Sequence, residues 1–139
     1  MVMREKIFEL IKNCDVAFLG SVDEDGYPNQ KAVSPPRKTE GDNLYFTTTG
    51  SSLRTEQYQK NNKASVYFYR KEKFKYEGVM LIGTMRVLTD EQTKHAVWRC
   101  GDSVLFKNGP SDTNYCVLCF TAQKCRYYAD LRSQWVKIL

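Results

Sequence analysis

Apolar and β-branched runs dominate this 139-residue chain, and no helical segment alternates with them in a regular β-α-β order. That order most constrains the fold, because strands without intervening crossover helices pair as an antiparallel barrel and not as an open parallel sheet. Val16 to Val22 and Pro28 to Ser34, on either side of Asp23-Glu24-Asp25-Gly26, read as a hairpin. Pro35-Pro36 ends its second strand, since neither residue donates to a ladder. Gly41-Asp42-Asn43 is a turn leading into a third strand, Leu44 to Thr48. Ala64 to Tyr69 and Val79 to Leu88 follow, with a bulge or bend expected at Gly83. Tyr115 to Ala122 and Arg126 to Ala129 close the series, before a short segment ending in Trp135. The expectation is a mainly β fold of about six strands.

Short helices fit around these strands. Ile7, Leu10 and Ile11 recur at helical spacing among charged residues, predicting an amphipathic helix over Met3 to Asn13. Ser52 to Lys60 is helix-compatible with Leu53 and Tyr58 turned inward. Thr89 or Asp90 caps a third helix running through Cys100, and residues 101 to 114 read as a loop.

With 42% hydrophobic residues the chain suits one domain spanning residues 1–139. No run approaches the ~20 apolar residues of a membrane span, and charges fall early in MVMREKIFEL. We therefore expect a soluble, cytoplasmic protein. The five cysteines, an odd number, are expected as reduced thiols. Cys116-x-x-Cys119 would point its sulfurs to opposite faces of a strand, and no second pair completes a metal ligand set, so no metal site is expected. The net charge of +5 is concentrated: residues 31 to 75 hold ten Lys/Arg against four Asp/Glu. That third suits an anionic partner, a small-molecule phosphate or a nucleic-acid backbone.

The only histidine, His95, lies on a predicted helix as a surface residue, which leaves a serine or cysteine nucleophile without a base. No G-x-G-x-x-G, P-loop lysine or H-E-x-x-H is present. The stretch FTTTGSSLRTEQ, residues 46 to 57, is the richest in chemistry. A helix start exposes unpaired N–H groups and a partial positive charge, and Gly50, Ser51, Ser52 and Arg54 add close approach, hydroxyls and a charged fork. The same residues also make a plain Ser N-cap. If the strand carrying Lys31 pairs with Leu44 to Thr48, Lys31 converges with Arg54 on one dianion.

The order D-G-x-P, Q-K-A-V, N-L-Y-F-T-T-T-G-S-S-L-R-T-E-Q, N-K-A-S-V-Y-F-Y and Y-E-G-V-M-L-I-G-T-M-R-V-L-T-D resembles the pyridoxamine 5′-phosphate oxidase-like, FMN-binding split-barrel family. The resemblance implies a six-stranded antiparallel split β-barrel, a homodimer, and FMN in clefts between the subunits. It implies that Lys31, Ser52 and Arg54, with Ser51 beside them, hold the flavin phosphate. Phe46, Thr47 and Thr48 would lie along the ring and ribityl, and Val33 and Ser34 near the ring through their backbone. Where the family often has a second basic residue after the serine, this chain has Leu53, one charge fewer for the phosphate. The substrate segment Arg-x-His of true pyridoxamine phosphate oxidases is not matched, since no histidine follows position 95. In this the chain more closely resembles the short relatives, including nitroimidazole-resistance type flavoproteins.

An FMN-dependent oxidoreductase acting on a small molecule with electrons from NAD(P)H or another donor is thus expected, with no assigned catalytic residue. A flavin carrier or sensor without turnover, and a nucleic-acid-binding barrel stacking bases on VYFYR, are the alternatives. Trp98, Trp135, Tyr69 and Tyr128 are candidates for stacking near the ring but fit core or dimer interface better, and the basic run RKEKFK, residues 70 to 75, reads most simply as a solvated loop, with docking of an anionic substrate or NAD(P)H as the alternative.

Overall fold

In the computed structural model, which describes residues 2–137, the alternating runs pair into one antiparallel sheet. Its strands are β1 (Ala17–Val22), β2 (Pro28–Val33), β3 (Lys38–Glu40), β4 (Asn43–Thr49), β5 (Lys63–Glu72), β6 (Lys75–Leu88), β7 (Tyr115–Ala129) and β8 (Arg132–Val136). The order across the sheet is β2-β1-β5-β6-β7-β4-β3, with β8 beside β7. The mainly β antiparallel architecture matches the expectation, but there are eight strands where six were expected.

The differences have local causes. β3 is exposed at every residue, so it carries no apolar alternation to read. β8 is exposed over its first four residues for the same reason. β7 is continuous where two strands were expected, because Gln123 and Lys124, polar enough to look like a break, sit at a bulge. There the register with β6 shifts between Ile82 and Gly83, which face Lys124 and Ala122. A Cβ at Gly83 would run into the Thr121 carbonyl oxygen, so glycine is what lets the two strands approach at the bulge. Residues 70 to 75 are no open loop either: β5 runs to Glu72 and β6 starts at Lys75.

Three helices decorate the sheet: α1 (Met3–Asn13), α2 (Leu53–Lys60) and α3 (Glu91–Val97). α1 buries Ile7, Leu10 and Ile11 in a core with Leu44, Phe46, Val66, Phe68, Leu81 and Phe120. α3 stops at Val97 instead of Cys100, and the segment behind it forms two 3-10 turns, Cys100–Val104 and Gly109–Ser111. Leu53 does not face inward; it is 67% exposed, because the face that α2 buries carries Thr55, Gln57 and Tyr58. No helix among the described residues is long and apolar enough to cross a membrane.

Candidate functional site

β1 sets where Lys31 points. Lys31 lies opposite Leu19 and Val33 opposite Ala17, and residues opposite one another in an antiparallel pair share a face. Leu19 and Ala17 are buried, so Lys31 and Val33 project from the core-facing side of an edge strand. β4 alternates in the same way, with Leu44, Phe46 and Thr48 buried inward.

The expected pairing of β2 with the strand of Thr47 does not occur. β2 bonds only β1, and β4 bonds β3 and β7, which places them toward opposite edges of the sheet. The two edges nonetheless face one another across a cleft of about 550 Å³, within the usual ~300–1,000 Å³ range of small-molecule sites. Lys31 and Arg54 both line it, brought together not by pairing of β2 with β4 but by β2 and α2 both attaching to β1.

α2 is fixed to the sheet by buried polar bonds. Tyr58 donates its hydroxyl to Gly20 O at 2.9 Å, and Ser21 Oγ to Gln57 Oε1 at 2.5 Å. At its start Ser52 is the N-cap, accepting from Thr55 N at 3.2 Å. The capping role and the proximity to the cleft therefore coexist. The amides of Leu53 and Arg54, at the first two helical positions, have no intrahelical acceptor. The Arg54 guanidinium donates through Nη2 to Thr48 Oγ1 at 3.3 Å, while its buried Nε has no partner.

Of the residues singled out in the sequence, Lys31, Val33, Ser34, Phe46, Thr47, Thr48 and Arg54 line the cleft. Ser51 and Ser52 stand behind it: Ser51 N donates to Asn114 Oδ1 at 3.0 Å, and the Ser52 hydroxyl is 2.7 Å from Thr55 Oγ1. None of the four aromatic candidates lines it. Trp98 packs on Tyr115 and Phe106, Tyr69 and Tyr128 contact Tyr67 on the sheet's outer face, and Trp135 stacks with Arg126. Residues 70 to 75 are also absent from the lining. His95 is exposed on α3, its Nδ1 bonded to Glu91 O, and the described residues hold no cluster of metal-ligating side chains. Cys116 and Cys119 are both buried free thiols, Cys119 accepting from Arg86 Nη2 at 3.3 Å.

One wall escaped the sequence reading. Arg37, just past Pro35-Pro36, forms a two-pronged ion pair with Asp102 at 2.6 and 2.8 Å and donates to Val97 O at 3.1 Å. Asp102 also accepts from Arg99 N. Arg37 beside it, opposed by burial, holds the Asp102 carboxyl below the usual carboxylate range. The pair pins the segment after α3 against the cleft, where Asp102, Leu105 and Phe106 complete its lining. Behind this wall Phe106 and Tyr115 pack with ring centres 4.8 Å apart, and burial pushes the Tyr115 hydroxyl up to about 12. An aperiodic stretch, made mostly of turn formers, gave no signal of this contact 65 residues away.

Comparison with known proteins agrees with the architecture. The family model described as pyridoxamine 5′-phosphate oxidase matches residues 3–129. A Clostridium acetobutylicum protein related to general stress protein 26 of B. subtilis (pyridoxinephosphate oxidase family) superposes with a TM-score of 0.83 and 34% identity, covering 97% of this chain and 94% of its own. A NimC/NimA family protein from the same organism gives 0.75 at 18% identity, over 95% and 90% of the two chains. A heme binding protein from Mycobacterium smegmatis gives 0.78 at 13% identity, over 99% of this chain and 59% of that one. The search of curated proteins finds no match. With its sheet, its cleft between open edges and a family match across nearly its whole length, the chain belongs to the pyridoxamine 5′-phosphate oxidase family.

Proposed function

We propose that the cleft binds FMN and that the chain is an FMN-dependent oxidoreductase acting on a small molecule, with electrons from NAD(P)H or another donor. Arg54 carries this reading. Its guanidinium has a buried Nε without a partner and no carboxylate among the ion pairs of the described residues, yet it faces the same cleft as Lys31. An unpaired buried donor is costly unless something accepts from it, and a phosphate does so with charge-assisted bonds.

In this reading Lys31, Arg54 and the free amides opening α2 hold the phosphate, with Ser51 and Ser52 shaping the helix start. Phe46, Thr47 and Thr48 would lie along ribityl and ring, with the backbone of Val33 and Ser34 near the ring. Leu53 lies outside the cleft lining, so the phosphate meets two cationic side chains. When bound, FMN supplies the electron or hydride transfer, and the protein supplies its orientation and electrostatics.

The donor set supports flavin over haem in this reading. The cleft is lined by no histidine, cysteine, methionine or tyrosine, the side chains that ligate haem iron. A homodimer belongs to the same reading: Phe18, Tyr67, Met80, Ile82 and Tyr128 leave a half-buried apolar outer face on the sheet, suited to a second copy. A cytoplasmic setting is supported by the five unpaired cysteines. The absorbance spectrum of the purified protein tests the core of the proposal. Flavin bands released on denaturation are expected; a colourless protein that FMN cannot reconstitute would refute it. NAD(P)H oxidation then distinguishes an enzyme from a carrier.

A further inference from the structure

The cleft's charges are not spread evenly. Lys31 and Arg54 have no acidic partner among the ion pairs of the described residues, whereas Arg37 is matched by Asp102 through two bonds on the facing wall. Both side chains of that pair are mostly buried, 14% and 12% exposed, so solvent does little to screen them and their charges cancel locally. Around them Leu105, Phe106 and Leu118 make the lining apolar, and the cleft's other acidic side chain is Asp15. Leu105 remains 76% exposed and its neighbour Val104 80%, although both sit on the segment that the pair pins down. A wall that is neutral, apolar and only partly covered differs in kind from the cationic seat across from it.

We propose that this wall is the substrate side of the cleft, that it takes an uncharged, apolar molecule against Leu105, and that Asp102 sets this preference by neutralising Arg37. Arg37 and Asp102 are positioning and selectivity residues here, not catalytic ones. The proposal rests on the FMN reading of the cleft. An anionic substrate would find Arg37 already occupied and would meet the carboxylates of Asp102 and Asp15. A neutral aromatic molecule leaves the ion pair intact and covers apolar surface.

The test compares 2-naphthol with 2-naphthalenesulfonate, the same ring system without and with a charge, binding to the FMN-loaded protein by calorimetry at pH 7. In the wild type the neutral probe binds about tenfold more tightly, the scale of one unfavourable charge contact. Asp102→Asn frees the Arg37 charge, and the sulfonate gains about tenfold relative to the naphthol. Arg37→Met leaves Asp102 unneutralised, and the sulfonate loses further. Both variants break the same ion pair, so a merely structural role moves both ratios together, and that result overturns the proposal. Binding of neither probe, or a wild-type preference for the sulfonate, overturns it as well. Leu105→Ser weakens 2-naphthol in each background; an unchanged affinity removes Leu105 from the contact. If the chain takes up no FMN, the FMN reading fails, while titrations in phosphate buffer still judge the wall by the opposed shifts of the two variants.

Discussion

Replacing Arg54 with alanine separates a residue that holds the fold from one that waits for an anion. In the ligand-free protein its side chain makes one bond, Nη2 to Thr48 Oγ1 at 3.3 Å, worth about 0.5–1.5 kcal/mol. Against this stands the buried, unpartnered Nε, whose removal returns roughly 1–3 kcal/mol of desolvation cost. The two nearly cancel, so Arg54→Ala should change ligand-free stability by less than about 1 kcal/mol in either direction. FMN binding behaves differently, because there the guanidinium makes charged bonds to phosphate. Losing them costs about 1.5–3 kcal/mol, roughly a 10- to 150-fold rise in Kd. Urea unfolding with and without FMN reads both effects on one sample. At a hundredfold excess over the wild-type Kd, FMN should stabilise the wild type by about 2.7 kcal/mol, and a variant with fiftyfold weaker affinity by about 0.6 kcal/mol. A variant that loses more than about 2 kcal/mol without ligand, yet keeps the full FMN increment, would show that Arg54 is structural and that the phosphate sits elsewhere.

Gly83→Ala should destabilise the protein by about 2–3 kcal/mol in thermal or urea unfolding, since the new methyl meets the Thr121 carbonyl backbone, which cannot step aside; a neutral result would mean the bulge relaxes freely. The Asp102 carboxyl is depressed from its ordinary 3.8, so the stability contributed by its pairing with Arg37 is present above that value and lost as pH falls through the lower folded value. Asp102→Asn should therefore flatten the acid limb of a stability-versus-pH curve below about pH 4 while costing stability at pH 7. Among the cysteines, exposed Cys100 should react first with a thiol reagent at pH 8, because burial raises Cys14 and Cys116 and pushes Cys125 up to about 11; equal reactivity of all five would contradict the packing.

How legible the molecule was depends on the range of the interaction involved. α1 could be read because Ile7, Leu10 and Ile11 repeat at a period that burial on one face demands. The β1–β2 hairpin was equally local, its register running from Ala17 against Val33 to Val22 against Pro28. β3 and β8 were not, since exposed strands owe their pairing to neighbours and carry no pattern of their own. Leu53 was misplaced because α2 is only eight residues long, and which of its faces is buried was decided by Tyr58 and Gln57 bonding to β1.

For the site the division is sharper. The sequence by itself determined a hydroxyl-rich strand running into a capped helix with Arg54 one turn in, because N-cap chemistry acts over three or four residues and is written in adjacent positions. It also determined that Lys31 would sit on a strand of alternating faces. That Lys31 and Arg54 share a cleft was decided only in the tertiary structure, where β2 pairs with β1 and α2 is bonded to β1 through Tyr58 and Gln57, while β2 and β4 never bond each other. The opposite wall belongs wholly to the tertiary structure. Arg37 and Asp102 are 65 residues apart, and an ion pair across that distance leaves no periodic trace, because it depends on where two otherwise aperiodic loops are carried by the strands that hold them.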